Sequence, residues 1–327
     1  MTFKAIRADK TDAGQDVRFV EMDEAELMPG DVTIRVTHST VNYKDGLALS
    51  GKSPIVRKFP MVLGIDLAGV VLQSAHGEFK PGDEVLLNGF GLSETHFGGY
   101  AERARVNGDW LLKVPQGLTR AEAMAIGTAG YTAMLSVMAI ERQGGSPSAG
   151  PALVTGAAGG VGSVAIALLA RAGWRVIAST GRMAEAEYLK GLGASEIVDR
   201  AELLKPGRPL GPERWAAAID SVGSVTLANA LAQTRYGGVV AACGLAGGAD
   251  LPTTVLPFIL RGVQLVGIDS VNCPMPRRRE AWAKLAKELD LLALRRMTVV
   301  EPFDRAFEVG ERIRAGHVRG RVVLEIG

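Results

Sequence analysis

Apolar and polar residues alternate in short segments over residues 1–117, as they do in strands that bury one face. The turn Lys80–Asp83 (KPGD) separates two of these segments, and its Pro-Gly pair suits a tight turn because proline presets φ and glycine tolerates positive φ. Short strands between such turns predict a small β-barrel or sandwich. Strands are expected at Val32–Thr37, Gly64–Leu72, Glu84–Leu87, Tyr100–Val106 and Leu111–Val114.

The pattern changes to helical spacing near Thr119. Residues 119–142 are rich in alanine and methionine, and Thr119 followed by Glu122 fits a capping box at the start of a helix. The loop Gln143–Pro151 (QGGSPSAGP) ends this segment, because glycine and proline interrupt regular structure.

After that loop, strand patterns alternate with helix patterns, which predicts βαβ units and a parallel sheet covered by helices on both faces. The expected strands are Ala152–Thr155, Arg175–Thr180, Glu196–Asp199, Trp215–Asp220, Gly238–Ala242 and Gln264–Ile268. The expected helices are Val161–Ala172, Ala184–Leu192 and Val225–Thr234, and a helix near residues 276–292 and a strand over Gly320–Ile326 close the chain.

A glycine-rich loop joins the first of these strands to its helix. The segment Ala152–Ser163 reads ALVTGAAGGVGS, a variant of the dinucleotide-binding fingerprint in which the glycines stand three positions apart. Gly156 suits the tight turn, and Gly162 lets the helix pack close to the strand. A glycine turn without a ligand is the alternative. The residues expected to face a pyrophosphate are Ala158, Gly159, Gly160 and Val161.

The end of the second strand carries no carboxylate. NAD sites hold an acidic residue about 20 positions after the glycine loop for the ribose hydroxyls, whereas this chain has Ser179, Thr180, Gly181 and Arg182 there. A guanidinium offers a bidentate fork to a 2′-phosphate, which a carboxylate would repel. The predicted cofactor is therefore NADPH, bound by Thr180, Gly181 and Arg182, with Arg200 as a second candidate. The alternative is that Arg182 caps a helix or faces solvent.

Composition and charge exclude several classes of protein. The 327 residues include 37 Lys+Arg and 35 Asp+Glu, and the net charge of +2 argues against a nucleic-acid partner. The two cysteines form no CxxC motif, so neither a disulfide scaffold nor a multi-zinc protein is indicated. We find no signal-peptide pattern and no stretch of about 18 apolar residues. A cytoplasmic protein without a membrane partner is expected.

Several stretches spread over nearly the whole chain resemble the medium-chain dehydrogenase/reductase superfamily. They are Asn42–Asp45 (NYKD), Gly64–Val71 (GIDLAGVV), Pro81–Val85 (PGDEV), Gly98–Ala101 (GGYA) and Gly156–Gly162. The resemblance implies an α/β fold with a GroES-like β-barrel catalytic domain over residues 1–120. A Rossmann domain with a doubly wound parallel sheet would bind the cofactor over residues 121–268. Residues 269–327 would return to the catalytic domain, with the active site in the cleft between the domains.

The chain departs from the zinc-dependent members of that superfamily. Gly64-Ile65-Asp66 stands where those members carry Gly-His-Glu, and neither their cysteine near Asn42 nor their lobe of four cysteines is present. The histidines are scattered without ligand spacing. No metal site is expected, which argues against alcohol oxidation, where a Lewis acid stabilises the alkoxide.

Longer stretches resemble the bacterial NADPH-dependent acrylyl-CoA reductases, within the quinone-oxidoreductase-like branch. They are Ser39–Gly51, Phe59–Gly69, Ile126–Met134, Ala242–Gly248, Leu251–Arg261 and Gly267–Val271. The resemblance implies zinc-independent hydride transfer from NADPH to the β-carbon of acrylyl-CoA, which yields propionyl-CoA. Such an enzyme must orient the two reactants and stabilise the enolate oxygen. The alternatives are an NADPH quinone or enone oxidoreductase and, more remotely, a non-enzymatic NADPH-binding structural or RNA-binding protein.

The catalytic candidates are Asn42, Tyr43 and Asp45, expected in a loop after a barrel strand. Tyr43 would pack on the nicotinamide ring and offer its hydroxyl, Asn42 would donate to the enolate oxygen, and Asp45 would orient a neighbour or join a proton relay. The alternative is that Asn42 and Asp45 only bond the local backbone, as turn residues do.

The resemblance also implies contacts at the nicotinamide end of the cofactor. It assigns Thr128 and the backbone of Leu245 and Ile268 to that end, and it lets Arg321 close over the cofactor. It further implies a homodimer formed through the edge of the Rossmann sheet, to which residues 249–260 would contribute. For the CoA phosphates the candidates are Arg57-Lys58 and Arg277–Arg279, for which a solvated surface is the alternative.

Overall fold

The computed structural model describes residues 1–12, 14–52 and 54–327. The chain divides into two compact units. The first unit consists of Met1–Thr128, Ser270–Ala286 and Leu294–Gly327, and the second of Ala129–Asp269 and Lys287–Ala293. The first unit thus continues to Thr128 rather than to residue 120, and the second unit takes a short segment of the C-terminal region.

The secondary structure follows the order expected from the sequence, with additions at both ends. The first elements are β1 (Thr2–Thr11), β2 (Gly14–Asp23), β3 (Val32–Thr40), α1 (Tyr43–Leu49), β4 (Met61–Val62), β5 (Asp66–Ser74), β6 (Glu84–Asn88), β7 (Arg103–Val106) and β8 (Leu112–Lys113). Helix α2 (Arg120–Arg142) leads into the second unit.

The second unit alternates strands with helices. Its elements are β9 (Ala152–Val154), α3 (Gly160–Arg171), β10 (Val176–Thr180), α4 (Ala186–Gly191), β11 (Ala194–Asp199), α5 (Ala201–Leu204), β12 (Trp215–Asp220), α6 (Ser224–Ala232), β13 (Thr234–Ala242), α7 (Leu256–Arg261) and β14 (Gln264–Gly267). The chain ends with α8 (Met275–Glu288), α9 (Leu291–Arg296), β15 (Thr298–Pro302), α10 (Ala306–Arg314) and β16 (Arg321–Glu325).

The single helix expected near residues 276–292 is two helices. Helix α8 ends at Glu288, and the Asp290 carboxylate accepts a hydrogen bond from the Leu292 backbone N–H at 2.8 Å. An aspartate that bonds a backbone N–H two residues later is typical of a helix start, so Asp290 begins α9.

The first unit is built on two sheets. A seven-stranded sheet has the order β15-β16-β3-β5-β6-β8, with β7 paired to β3, and a three-stranded sheet has the order β2-β1-β4. An antiparallel bridge between Ala5 and Ala101 joins β1 to the segment before β7. Buried apolar side chains from both sheets, among them Ile6, Ile34 and Leu67, form one core.

Helix α2 begins as the sequence predicts. The Thr119 backbone N–H donates to Glu122 Oε2 at 2.9 Å, and the Glu122 N–H donates to Thr119 Oγ1 at 3.1 Å, which confirms the capping box. By length and composition α2 could cross a membrane, contrary to the expectation from the sequence, but 89% of its apolar window is buried inside the protein. Such burial is that of a core helix.

The second unit contains a six-stranded parallel sheet with the order β11-β10-β9-β12-β13-β14. The predicted doubly wound sheet is therefore confirmed. The strand order reverses between β9 and β12, and ligands of such sheets bind beyond the carboxyl ends of the strands at the point of reversal.

Candidate active site

The glycine loop between β9 and α3 has the geometry of a phosphate cradle. Gly156 has φ +58°, a backbone angle that residues other than glycine rarely adopt. A Cβ at Gly162 would lie 2.5 Å from the Gly156 carbonyl oxygen, so glycine is needed there for close packing. Helix α3 begins at Gly160, with Gly159 as its N-cap. This geometry suits a pyrophosphate, and its contacts with Ala158, Gly159, Gly160 and Val161 stay a prediction.

The residues predicted for the 2′-phosphate come together beside this loop. The Arg182 backbone N–H donates to Thr180 Oγ1 at 3.1 Å, and Arg182 Nη2 donates to the Ala158 carbonyl at 3.1 Å. A Cβ at Gly181 would lie 2.7 Å from Arg200 Cζ, so glycine makes room for that guanidinium. Thr180, Gly181, Arg182 and Arg200 therefore form one basic site next to the cradle.

A buried carboxylate that the sequence reading missed connects the two central strands of this sheet. Asp220, at the end of β12, accepts hydrogen bonds from Thr155 Oγ1 at 2.6 Å and from the Gly223 N–H at 2.7 Å. Burial raises the pKa of Asp220. The lone acidic residue that ends the apolar segment WAAAID was the available signal.

Leu245 and Ile268 follow the carboxyl ends of neighbouring strands, β13 and β14. Leu245 is 65% exposed, and the Ile268 N–H donates to the Ala242 carbonyl at 3.0 Å. Both therefore lie at the same edge of the sheet as the glycine loop. Their contact with a nicotinamide stays a prediction.

The catalytic candidates of the first unit lie on a helix, and not in the expected loop. Asn42 is the N-cap of α1, and Tyr43 and Asp45 lie in its first turn. The Asn42 backbone N–H donates to Asp45 Oδ2 at 2.8 Å, and the Ile65 N–H donates to Asp45 Oδ1 at 2.9 Å. The Asp45 carboxylate thus closes the helix start, which favours the backbone-bonding alternative for this residue.

Asn42 is bonded inside the protein rather than aimed at a ligand. Its amide nitrogen lies 2.7 Å from Thr40 Oγ1, 2.8 Å from Asp66 Oδ2 and 3.1 Å from Asp45 Oδ2. Its amide oxygen accepts from Arg321 Nη1 at 3.2 Å. Acceptors within the protein thus occupy both amide hydrogens, and the predicted donation to an enolate oxygen stays a prediction.

Asp66 lies at the centre of a buried cluster of polar side chains that includes Asn42, Asp45 and Arg321. No role for Asp66 was expected from the sequence. It is fully buried and accepts hydrogen bonds from Asn42 Nδ2, from Asn88 Nδ2 at 2.7 Å and from the Thr128 N–H at 3.0 Å. The hydroxyls of Thr40 and Thr128 also contact its oxygens. The segment Gly64-Ile65-Asp66 was read as part of a strand, as part of the family resemblance and as a departure from a zinc site, without a role for Asp66 itself.

The two buried carboxylates influence each other. Burial, together with the negative charge of Asp66, raises the pKa of Asp45 from 3.8 to about 7, although three hydrogen bonds from Asn42 and Ile65 act in the opposite direction. Burial also raises the pKa of Tyr100, whose hydroxyl donates to the Thr40 carbonyl at 2.8 Å. Asp45 is thus the group of this cluster whose pKa lies near neutral pH.

Arg321 is buried in the same cluster, and its predicted closure over the cofactor stays a prediction. Arg321 is 2% exposed, and its Nε donates to the Ala125 carbonyl at 2.7 Å while Nη1 donates to Asn42. Burial lowers its pKa, and the carboxylates of Asp66 and Asp45 oppose this shift. The guanidinium is a structural cation of the buried cluster, because it balances charge that would otherwise be buried alone.

Tyr43 and Thr128 are the candidates of the first unit that reach the surface. Tyr43 is 44% exposed, and Thr128 is half-buried. Their predicted contacts with the nicotinamide stay predictions.

The basic residues proposed for CoA differ in exposure. Arg278 is 1% exposed, donates to the carbonyl oxygens of Asn88, Ser270 and Val271, and lies 4.4 Å from the centre of the Phe90 ring. It therefore cannot bind a phosphate. Arg57 is exposed and pairs with Glu94 at 3.3 Å, so it stays a candidate.

Over residues 1–12, 14–52 and 54–327, no group of three or more His, Cys, Asp or Glu side chains is arranged to hold a metal ion. Asp45 and Asp66 contribute carboxylates to one cluster, but N–H and O–H donors occupy their oxygens. These donors repel a cation, so this cluster does not fit a metal.

Comparisons with known proteins identify the family of the chain. The alcohol dehydrogenase GroES-like domain family matches residues 28–116, and the zinc-binding dehydrogenase family matches residues 160–290. The chain is 49% identical to the acrylyl-CoA reductase AcuI of Ruegeria pomeroyi over 99% of both proteins.

Solved structures of two further proteins are closely similar. The yhdH oxidoreductase of Salmonella enterica in complex with NADP has a TM-score of 0.97 and 49% identity, over 99% of this chain and 100% of that one. YhdH of E. coli K-12 with bound NADPH has a TM-score of 0.96 and 49% identity over the same shares.

Proposed function

The chain belongs to the medium-chain dehydrogenase/reductase superfamily, and we propose that it reduces the carbon–carbon double bond of acrylyl-CoA with NADPH, without a metal ion. The observation that carries the substrate is the similarity to AcuI over 99% of both chains. The product would be propionyl-CoA. The cofactor is NADPH, which agrees with the basic site around Gly181 and with the cofactors of the two similar structures.

The residues of the second unit fit this cofactor. The N–H groups at the start of α3 would bind the pyrophosphate, and Arg182 and Arg200 would bind the 2′-phosphate. When bound, NADPH supplies the hydride. These contacts would hold the pyrophosphate in one place, so the chain contributes mainly orientation.

In the first unit, Tyr43 is the accessible catalytic candidate. Its exposed phenol is able to donate a hydrogen bond to the thioester oxygen as negative charge develops there. Asn42 and Asp45 support it indirectly, because they fix the first turn of α1.

A comparison of substrates tests the proposal. Steady-state rates with NADPH should give a higher kcat/KM for acrylyl-CoA than for crotonyl-CoA or a quinone. Crotonyl-CoA differs from acrylyl-CoA only by a methyl group on the β-carbon, so this pair measures recognition of the acyl chain. The quinone lacks CoA, so its comparison with acrylyl-CoA measures recognition of the acyl-CoA class. A quinone with the highest kcat/KM would instead identify a quinone oxidoreductase.

The basic site predicts the cofactor preference. Arg182→Ala should raise the KM for NADPH about tenfold to a hundredfold, because charge-assisted hydrogen bonds contribute about 1.5–3 kcal/mol. The KM for NADH should change little. Arg175→Ala is the matched control, since Arg175 precedes β10 at the opposite end of the strand and pairs with Glu196. Equal changes for NADPH and NADH would contradict the assignment of Arg182.

We propose further that the protein is a homodimer formed along β14. This strand is the last of the six-stranded sheet, and its neighbourhood exposes Val255 (63%), Ile259 (68%) and Leu260 (57%). An unpaired strand edge beside exposed aliphatic side chains favours pairing with a second copy.

Light scattering after size exclusion tests the dimer. Ile259→Arg should yield a monomer, because pairing would bury the new charge without a partner. Leu204→Arg should leave the mass unchanged, since Leu204 is 48% exposed but follows β11 at the other end of the sheet. A dimeric Ile259→Arg variant, or a monomeric unsubstituted protein, would overturn the proposal.

A further inference from the structure

We propose that Asp66 is a positioning residue that fixes the Thr128 hydroxyl as a hydrogen-bond acceptor, so that Thr128 binds an N–H donor of the cofactor or the substrate. The inference rests on the proposed function, which supplies the ligands. The N–H donors nearest to the reacting atoms of these ligands are the carboxamide of the nicotinamide and the amides of the pantetheine arm of CoA.

The hydrogen bonds around Asp66 make its carboxylate an acceptor on both oxygens. Oδ2 accepts from Asn42 Nδ2 at 2.8 Å and from the Thr128 N–H at 3.0 Å, and Oδ1 accepts from Asn88 Nδ2 at 2.7 Å. Nitrogen–hydrogen groups of this kind only donate. The buried carboxylate is therefore fully supplied with donors and has no hydrogen to offer in return.

The Thr128 hydroxyl must consequently give its hydrogen to Asp66. Its Oγ1 contacts Asp66 Oδ1, and a hydroxyl has one hydrogen and two acceptor lone pairs. Towards any ligand, this oxygen can therefore only accept. Thr128 is half-buried, whereas its partner Asp66 is fully buried, so Thr128 is the member of this pair that lies nearer to the surface.

The backbone holds Thr128 in this orientation. Gly127 interrupts α2 with φ +50° and ψ −162°, and the Thr128 N–H that follows bonds to Asp66. A Cβ at Gly127 would lie 2.7 Å from Arg321 Nη2 and 3.0 Å from Asp66 Oδ2, so only glycine fits beside the cluster. Both the backbone and the side chain of Thr128 are thus fixed by one carboxylate.

A cofactor analogue tests which group Thr128 accepts from. The reduced 3-acetylpyridine analogue of NADPH has a methyl ketone in place of the carboxamide, so it lacks the N–H and keeps the carbonyl. We expect fluorescence titration to show tighter binding of NADPH than of the analogue. Thr128→Val should reduce that preference about threefold to tenfold, the worth of one neutral hydrogen bond, and Thr128→Ser should keep it. A ratio of dissociation constants cancels any general weakening of the site.

A second experiment, with two substrates, tests whether Thr128 accepts from a pantetheine amide and not from the carboxamide of the cofactor. If the cofactor ratio is unchanged, Thr128→Val should alter the ratio of KM values for two acrylyl thioesters, one of N-acetylcysteamine and one of propanethiol, which lacks the amide. That result would assign the pantetheine amide. Unchanged ratios in both arms would overturn the inference, whereas a protein that binds no NADPH at all would contradict the proposed function instead.

Asp66→Asn tests the positioning role. Because Oδ2 faces the Thr128 N–H, the new amide should place its nitrogen at the Oδ1 position and donate to Thr128. Asn88 can rotate its amide to accept the second hydrogen, since its Oδ1 is a buried acceptor without a hydrogen bond among the described residues. Thr128 would then point its hydrogen outward, and the preference for NADPH over the analogue should be lost although the hydroxyl is present. A folded Asp66→Asn variant that retains the preference would overturn the role of Asp66.

Discussion

Gly162→Ala is expected to lower the free energy of unfolding by about 3 kcal/mol and to weaken NADPH binding at least about tenfold, because overpacking forces the backbone to shift. The added Cβ would lie 2.5 Å from the Gly156 carbonyl oxygen and 2.7 Å from Ala157 Cα. Both are backbone atoms of the phosphate loop, so no side-chain rotation relieves the clash. Helix α3 must move away from β9, and the N–H groups at its start move with it.

Denaturant unfolding and a fluorescence titration with NADPH measure the two effects. Gly191→Ala is the matched control, because Gly191 also lies in a helix but a Cβ there would meet no atom within 4 Å. That control should be neutral or stabilise the protein by up to about 1 kcal/mol, since alanine favours helix more than glycine. Equal stability of the two variants would contradict the close packing of α3 against the loop.

The cofactor loop was predictable because its signals are local in the sequence. A strand, a glycine turn and a helix stand in direct succession from Ala152 to Arg171, and the residues for the 2′-phosphate follow at the next strand end. Each of these features depends on neighbours within a few positions. The parallel sheet likewise follows from the repeated alternation of strands and helices.

The cluster around Asp66 was not predictable in this way, because its members come from distant parts of the chain. Four of these residues reach Asp66 or its partner Asn42 only after β3, β5, β6 and β16 have formed the sheet. They are Thr40, Asn88, Thr128 and Arg321. The resemblance assigned Arg321 to the cofactor, and Asn42 was expected to donate to the enolate oxygen. The buried hydrogen bonds of these two side chains could not be foreseen, because they join residues that are far apart in the sequence.

Helix α1 shows the same limit on a smaller scale. Asn42, Tyr43 and Asp45 were expected in a loop after a barrel strand, whereas they begin a helix that is short and contains Gly46. In the structure, a Cβ at Gly46 would lie 2.7 Å from Ile313 Cγ2, and one at Gly310 would lie 2.8 Å from Leu49 Cδ1. A Cβ at Gly46 would also lie 2.9 Å from the Gly310 carbonyl oxygen, so the close approach of α1 and α10 depends on Gly46. This contact stabilises a helix that propensity alone disfavours.

The raised pKa of Asp45 predicts a stability that falls as pH rises. The folded protein keeps a proton on this carboxyl up to about pH 7, whereas the unfolded chain loses it near 3.8. Between these values the folded state binds more protons, so the contribution of Asp45 is fully present below pH 3.8 and is lost as pH rises towards 7. The shift corresponds to about 4 kcal/mol at 1.36 kcal/mol per pKa unit.

Asp45→Asn isolates this contribution, because an amide does not ionise. In the variant, the amide nitrogen cannot accept a hydrogen bond from the N–H of Asn42 or of Ile65. The lost bond lowers the free energy of unfolding by the same amount at every pH, so it cancels when stabilities at pH 5 and pH 8 are compared. Relative to the unsubstituted protein, it should gain about 2–3 kcal/mol between these two values, since part of the titration lies below pH 5. Asp304→Asn, at an exposed position, is the control and should run parallel to the unsubstituted protein. If the stability of Asp45→Asn also followed that of the unsubstituted protein at every pH, Asp45 would be ionised over the whole range. Arg321 would then balance two ionised carboxylates, and neither would carry a proton.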